Sequence, residues 1–121
     1  MLEGVLITES LRAGSQLAGI PLQVTKLSRI KVAGAADDQP RLWTLLDFSA
    51  DEREAQQLAD QLASCLSTGT WYTDFHTATD TFVIFANKVF RYPRGQAEGR
   101  QAAQQHGRSV GIPEQQLDWQ E

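Results

Sequence analysis

Apolar and polar positions alternate in the first half of the chain with the two-residue period of a half-buried strand. From Leu22 to Val32 the apolar side chains fall mainly on even positions, and Leu27 is an exception on the polar side. From Leu42 to Phe48 both faces are apolar. Because a strand that is apolar on both faces is covered on both faces, we expect a helix or a second copy of the chain over Trp43.

Two segments show the three-to-four-residue period of an amphipathic helix. Ser49 and Glu52 have the spacing of a capping box, and the apolar stripe that follows predicts a helix over 50–67 that ends before Gly69. A second helix is predicted over 95–109. Two glycines interrupt it, and we expect them to allow close packing on a sheet, since glycine is otherwise unfavourable inside a helix.

Short β-prone segments complete the pattern. One lies near the start, at 5–8, and three lie between the helices, at 71–76, 81–85 and 89–92, with a tight turn predicted at Asn87-Lys88. The element order is ββ(β)-α-βββ-α. This order predicts an α+β domain with a mainly antiparallel sheet of about five to six strands and two helices. We expect the helices to cover one face of the sheet.

Composition narrows the class of protein. The 121 residues, 41% apolar and 21% charged, predict a single folded domain spanning residues 1–121. No apolar run approaches the roughly 20 residues of a membrane span, and the start lacks the basic and apolar regions of a secretory signal. With Cys65 as the one cysteine, these features predict a cytoplasmic protein with no membrane partner.

Charge is unevenly distributed along the chain. The net charge is −4, which disfavours a nucleic-acid partner. Residues 88–108 nevertheless carry five basic side chains against one acidic side chain. Arg91 and Arg94 lie just before the second helix, where a helix N-terminus and arginine forks favour anions. They predict a small anionic ligand; the alternative is that these arginines pair with acidic residues of the first helix.

The sequence contains no phosphate-binding loop, dinucleotide fingerprint, zinc-protease motif or serine-hydrolase motif. We therefore predict no catalytic residue, no metal site and no cofactor. The strongest chemical cluster is Tyr72, Asp74 and His76, which share one face of a strand. A carboxylate beside an imidazole is typical of ligand-binding and acid–base sites, and Asp80 is expected to approach His76. The alternative is an ordinary solvent-facing polar face.

A surplus of apolar sheet surface predicts self-association. Two modest helices do not cover every apolar position, and an uncovered apolar patch usually marks an interface. We predict an interface at Leu27, Trp43 and Leu45 and a two-fold symmetric homodimer; the alternative is that residues 1–20 fold over this surface. The preferred hypothesis is a non-enzymatic binding or interaction protein that acts as a homo-oligomer. The alternative is a small-ligand-binding protein or enzyme that uses Tyr72, Asp74 and His76.

Four stretches in the last 50 residues form a recognisable set. They are Trp71–Phe75, Val89–Gly95, Gly111-Ile112-Pro113 and Leu117-Asp118-Trp119. Together they resemble small uncharacterised bacterial proteins. The resemblance covers under half of the chain and carries no activity or site residues with it. It implies a bacterial cytoplasmic protein.

Overall fold

One antiparallel sheet of six strands organises the computed structural model, which describes residues 1–121. The strands are β1 (Leu2–Ile7), β2 (Gln23–Lys31), β3 (Leu42–Ala50), β4 (Tyr72–His76), β5 (Asp80–Phe85) and β6 (Lys88–Pro93). Their order in the sheet is β2-β3-β1-β4-β5-β6. Helix α1 (Ala55–Cys65) joins β3 to β4, and helix α2 (Ala97–Ser109) follows β6. The predicted α+β class and element order are confirmed. Neither helix has the length and apolar character needed to cross a membrane.

The two helices pack on opposite faces of the sheet. On the face that we call the α1 face, Leu58 and Leu62 of α1 join a core with buried side chains of β1, β3, β4 and β5. On the other face, which we call the α2 face, Ala103 of α2 packs with Val83 and Phe85. The expectation that both helices cover one face is wrong. Strand β5 is apolar on both faces, so each of its faces needs its own covering layer.

Helix α2 covers only half of its face. Its core consists of residues of β5, β6, α2 and the segment 110–121, with Tyr72 of β4 at the border. No helix lies over the same face of β1, β3 and β2, where Val5 and Ile30 remain about two-fifths exposed, at 38% and 40%. We call this uncovered area the open half. The step between it and the segment 110–121 is where the chain forms its largest cleft.

A β-bulge at Thr25 explains the irregular pattern of β2. The register shifts between Val24 and Lys26, so that Val24 pairs with Phe48 and Leu27 pairs with Leu46. Residues directly opposite each other in a sheet share a face. Leu27 therefore lies on the α1 face and Ile30 on the α2 face. A bulge reverses the face of every later residue, which a strict two-residue period does not anticipate.

Trp43 is covered by its own chain. Its side chain is 9% exposed, and its ring centroid lies 5.5 Å from that of Trp71. The Trp43 indole Nε1–H donates a hydrogen bond to the Pro40 carbonyl oxygen, at 2.9 Å. Trp43 is thus buried by Trp71 and the loop before β3. Trp71 and this loop take the place of the expected helix over Trp43.

The start of α1 differs from the predicted capping box. Ser49 belongs to β3 and pairs with Glu3. Asp51 takes the capping role instead, because its carboxylate accepts a hydrogen bond from the Arg53 backbone N–H at 2.9 Å. A short 3-10 turn at Glu52–Glu54 then leads into α1. The helix begins later than predicted since the strand before it runs two residues further than its apolar pattern indicates.

The last hairpin turns one residue earlier than predicted. Phe85 pairs with Lys88, which leaves Ala86 and Asn87 as the two turn residues. Asn87 adopts a positive φ of 61°, a conformation that asparagine tolerates better than most residues. The tight turn is confirmed, and its position is corrected to Ala86-Asn87.

Gly99 lets α2 approach β6 closely. A methyl group at this position would lie 2.4 Å from the Cβ and Cγ atoms of Tyr92, well inside contact distance. We expect Gly99→Ala to destabilise the protein by about 1–3 kcal/mol, because overpacking outweighs the gain in helix propensity. Urea unfolding measures this difference. Gln101→Ala, at an exposed position of α2, is the control and should change stability by less than about 0.5 kcal/mol; an equal effect of both variants would contradict the packing role.

Candidate ligand-binding cleft

The largest cleft lies between the open half and the C-terminal segment, and its volume is about 710 Å³. Its lining residues come from β1, β3 and β4, which are neighbours in the sheet, from Thr25 of β2, and from residues 118–120, which we call the C-terminal wall. The polar and aromatic side chains that line it are Glu3, Thr25, Asp47, Ser49, Tyr72, Asp74, His76, Asp118, Trp119 and Gln120.

Tyr72, Asp74 and His76 all line this cleft. Strand β4 alternates, so that Thr73 and Phe75 are buried toward the α1 face while these three point to the α2 face. The sequence-predicted cluster is therefore brought together at a cavity. In the register of the sheet, Asp74 lies opposite Val5 and His76 lies opposite Glu3.

Four carboxylates line the cleft, and only Asp74 belongs to the cluster predicted from the sequence. Glu3 comes from β1, Asp47 from β3 and Asp118 from the C-terminal segment. No lysine or arginine side chain lines the cleft. Glu3 and Asp47 lie on the same face as Asp74 through the register of β1 with its two neighbours. Knowledge of the strand order would have been needed to find them.

The Asp74 carboxylate has an unusual electrostatic environment. Burial, together with the nearby Asp118 carboxylate, raises the pKa of Asp74 to about 7, and the Arg100 guanidinium counters this only in part. No protein group donates a hydrogen bond that would stabilise the charged form. At neutral pH the cleft therefore contains a carboxyl group that is close to half ionised and has no partner in the protein.

The C-terminal wall of the cleft is held in place by several interactions. The Tyr72 hydroxyl donates a hydrogen bond to the Gln116 carbonyl oxygen. The Trp119 ring packs edge-on against the Tyr72 ring, with centroids 5.5 Å apart, and its Nε1–H donates to the Tyr92 hydroxyl oxygen at 2.8 Å. Arg100 stacks over the Trp119 ring and donates to the Trp119 carbonyl oxygen at 2.9 Å. These contacts fix the position of the wall that presents Asp118.

A second cavity of about 330 Å³ adjoins the first. The two share Val5, Tyr72, Asp74 and Asp118 as lining residues, and we call them together the groove. The apolar side chains that line only the second cavity are Ile7, Ile30, Trp43, Leu45 and Trp71. We call the first cavity the acidic end of the groove and the second cavity its apolar arm.

The structure separates the predicted arginines from the cluster on β4. Arg91 pairs with Phe82 on the α1 face, where its guanidinium binds the Asp80 carboxylate at 2.7 Å. Asp80 therefore faces Arg91 and does not approach His76. Arg94 donates a hydrogen bond to the Thr77 carbonyl oxygen at 3.3 Å. Neither arginine lines the groove, so the residues that motivated an anionic ligand lie elsewhere.

The predicted interface residues are also divided between the faces. Trp43 and Leu45 line the apolar arm on the α2 face. Leu27 lies on the α1 face, through its pairing with Leu46. The three residues do not form one continuous surface.

The chain forms no group of three or more histidine, cysteine, aspartate or glutamate side chains placed to hold a metal ion. Comparisons with protein-family models, with curated proteins and with solved structures found no match. The fold and the groove define the class of this protein: a six-stranded antiparallel α+β domain with one helix on each face and an acidic cleft beside the half-covered face.

Asp74 should make stability depend on pH. The folded state raises its pKa, so the protein is most stable below the pKa of the unfolded chain and loses stability as pH rises from about 4 to about 7. We expect Asp74→Asn to remove this loss and to stabilise the protein by about 4 kcal/mol at pH 8, with little effect at pH 4, because a shift of about three pKa units is worth about 1.4 kcal/mol per unit. Urea unfolding at pH 4 and pH 8 measures this change in the free energy of unfolding, and Asp37→Asn, at an exposed position, is the control. An equal change at both pH values in Asp74→Asn would contradict the environment described for Asp74.

Proposed function

We propose that this protein binds a small organic cation in the acidic end of the groove. The observation that carries the proposal is the unpartnered carboxylate of Asp74, in a cleft lined by three further carboxylates and by no lysine or arginine side chain. A bound cation would provide the partner that the protein itself does not supply.

Electrostatics favour a cation over an anion at this position. Desolvated carboxylates attract a positive charge more strongly than exposed ones, because the effective dielectric constant is lower. Met1 lines the cleft, but its N-terminal ammonium group is paired with the Glu52 carboxylate at 3.1 Å. No lysine or arginine side chain lines the cleft to receive an anion. Arg100 lies behind Trp119, to whose carbonyl oxygen it is bound. Lys26 is the cross-strand partner of Asp47 and does not line the cleft.

Binding is a better account of this cleft than catalysis. The Tyr72 hydroxyl is engaged by the Gln116 carbonyl oxygen, and burial together with Asp74 raises the pKa of Tyr72 further above its ordinary value. The cleft contains no cysteine or lysine side chain that would act as a nucleophile.

From the single cysteine and the sequence resemblance, we further propose that the protein acts in the cytoplasm of a bacterium.

The test is calorimetric titration with ethylamine and with propionate, a cation and an anion of similar size. We expect ethylamine to bind and propionate not to bind. Asp74→Asn should weaken ethylamine binding by about tenfold or more, since it removes a charge-assisted contact worth about 1.5–3 kcal/mol. Asp37→Asn, in an exposed loop, is the matched control. Equal binding of propionate, or an unchanged affinity in Asp74→Asn, would overturn the proposal.

The pH dependence of binding follows from the same group. Ionised Asp74 is the form that attracts a cation, and its pKa is about 7. The ionised fraction rises from about one tenth at pH 6 to about nine tenths at pH 8, so the affinity for ethylamine should rise by about tenfold over this range. Asp74→Asn should flatten the profile. His76→Asn, which removes the one imidazole of the cleft, should keep it; a profile that flattens in His76→Asn and persists in Asp74→Asn would contradict this assignment.

A second candidate function is self-association, as the sequence analysis prefers. The observation that favours it is the exposure of Val24 and Leu27, which are 53% and 66% exposed and lie beside each other on the α1 face of the edge strand β2. Exposed apolar side chains on an edge strand are a surface for pairing with a second copy.

Sedimentation analysis tests self-association directly. If β2 forms the contact, the protein is a dimer at micromolar concentration, and Leu27→Glu shifts it to the monomer because a buried unpaired carboxylate is unfavourable. Leu42→Glu, at a 48% exposed position of β3, is the control that keeps the dimer. A monomer at all concentrations would exclude this candidate.

A further inference from the structure

We infer that the natural ligand is an amine with an aromatic or branched aliphatic body, whose charged group lies at the acidic end and whose body lies along the apolar arm. This inference rests on the proposed function and adds the class of ligand. The supporting observation is that two cavities of opposite character adjoin each other and share Val5, Tyr72, Asp74 and Asp118 as lining residues.

The dimensions of the groove fit an elongated molecule. Glu3 lines the acidic end and Ile7 the apolar arm, four residues apart on β1. At roughly 3.3 Å per residue the groove extends about 13 Å along the strand. A ligand that carries only a charged group would leave the apolar arm unfilled. Burial of an apolar body there adds affinity in proportion to the area removed from water.

The apolar arm is suited to a hydrocarbon body. Trp43 and Trp71 form an aromatic pair; Ile30 is the cross-strand neighbour of Trp43, and Leu45 lies two residues further along the same strand, on the same face. Most polar side chains of the arm already have partners. The Thr70 hydroxyl donates to the Asp38 carboxylate, and the Gln116 amide donates to the Gly34 carbonyl oxygen at 2.8 Å. Few groups remain to bind a polar ligand body.

A peptide fits this groove less well than an amine without a peptide backbone. The floor strand β1 is paired with β3 on one side and with β4 on the other, so that its backbone groups are used within the sheet. An extended peptide in the groove would find no open strand edge, and its own amide groups would be left without partners. An amine without a peptide backbone avoids this cost.

The experiment compares three probes that separate the two ends of the groove. Ethylamine carries only the charged group, 2-phenylethanol only the body, and 2-phenylethylamine carries both. By calorimetry we expect 2-phenylethylamine to bind at least about tenfold more tightly than either of the other two. All three tryptophans line the groove, so intrinsic fluorescence gives a second readout, with a larger change for 2-phenylethylamine than for ethylamine.

Two matched variants locate the body in the apolar arm. Ile30→Ser changes a 40% exposed residue that lines the arm, and Leu42→Ser changes a 48% exposed residue that lies outside it. Ile30→Ser should lower the preference for 2-phenylethylamine over ethylamine by about threefold or more, and Leu42→Ser should leave it unchanged. Both positions are exposed, so loss of folding does not confound the comparison.

The alternative outcomes separate this inference from the proposed function. If both amines bind with equal affinity and Asp74→Asn weakens both, the inference fails and the proposed function stands. If 2-phenylethanol binds as tightly as 2-phenylethylamine, or if neither amine binds, the proposed function fails as well. Tighter binding of the dipeptide phenylalanyl-alanine than of 2-phenylethylamine would overturn the choice of a non-peptide amine.

Discussion

The structure depends on how the two faces of a six-stranded sheet are shielded from water. Strand β5 is buried on both faces, with Phe82 and Ile84 under α1 and Val83 and Phe85 under α2. Helix α1 and the early loops cover a core that reaches from β1 to β5. Helix α2, held close by its small residues, covers only the last strands. The C-terminal segment extends this cover by a few residues, and the sheet beyond it stays open.

The cleft and its chemistry follow from this unequal cover. The step from the open half to the C-terminal segment creates a concave surface over the central strands. Three neighbouring strands each place one carboxylate in the cleft, and the C-terminal segment adds Asp118. Burial beside Asp118 makes ionisation of Asp74 unfavourable. This unpartnered carboxyl group at a cavity is the basis of the proposed cation site.

Local patterns were sufficient to predict most elements but not their assembly. The alternation in β4 placed Tyr72, Asp74 and His76 on one face, and the helical stripe of α1 was recognisable from its spacing. The bulge at Thr25 moved Leu27 to the face opposite Trp43, because one inserted residue reverses a two-residue period. Glu3 and Asp47 joined the site through strand pairing between distant parts of the chain. Arg91 was misleading for the same reason, since only the register shows that it points to the other face.

The central claim is that Asp74 lacks a charge partner until a cation binds. Carbon-13 NMR of the Asp74 carboxyl group during a pH titration, with and without saturating ethylamine, tests it most directly. The account predicts a midpoint near pH 7 in the free protein and a midpoint at least about one pH unit lower with ethylamine, because a nearby positive charge favours the ionised form. A midpoint near pH 4 in the free protein, or one that ethylamine leaves unchanged, would contradict the account.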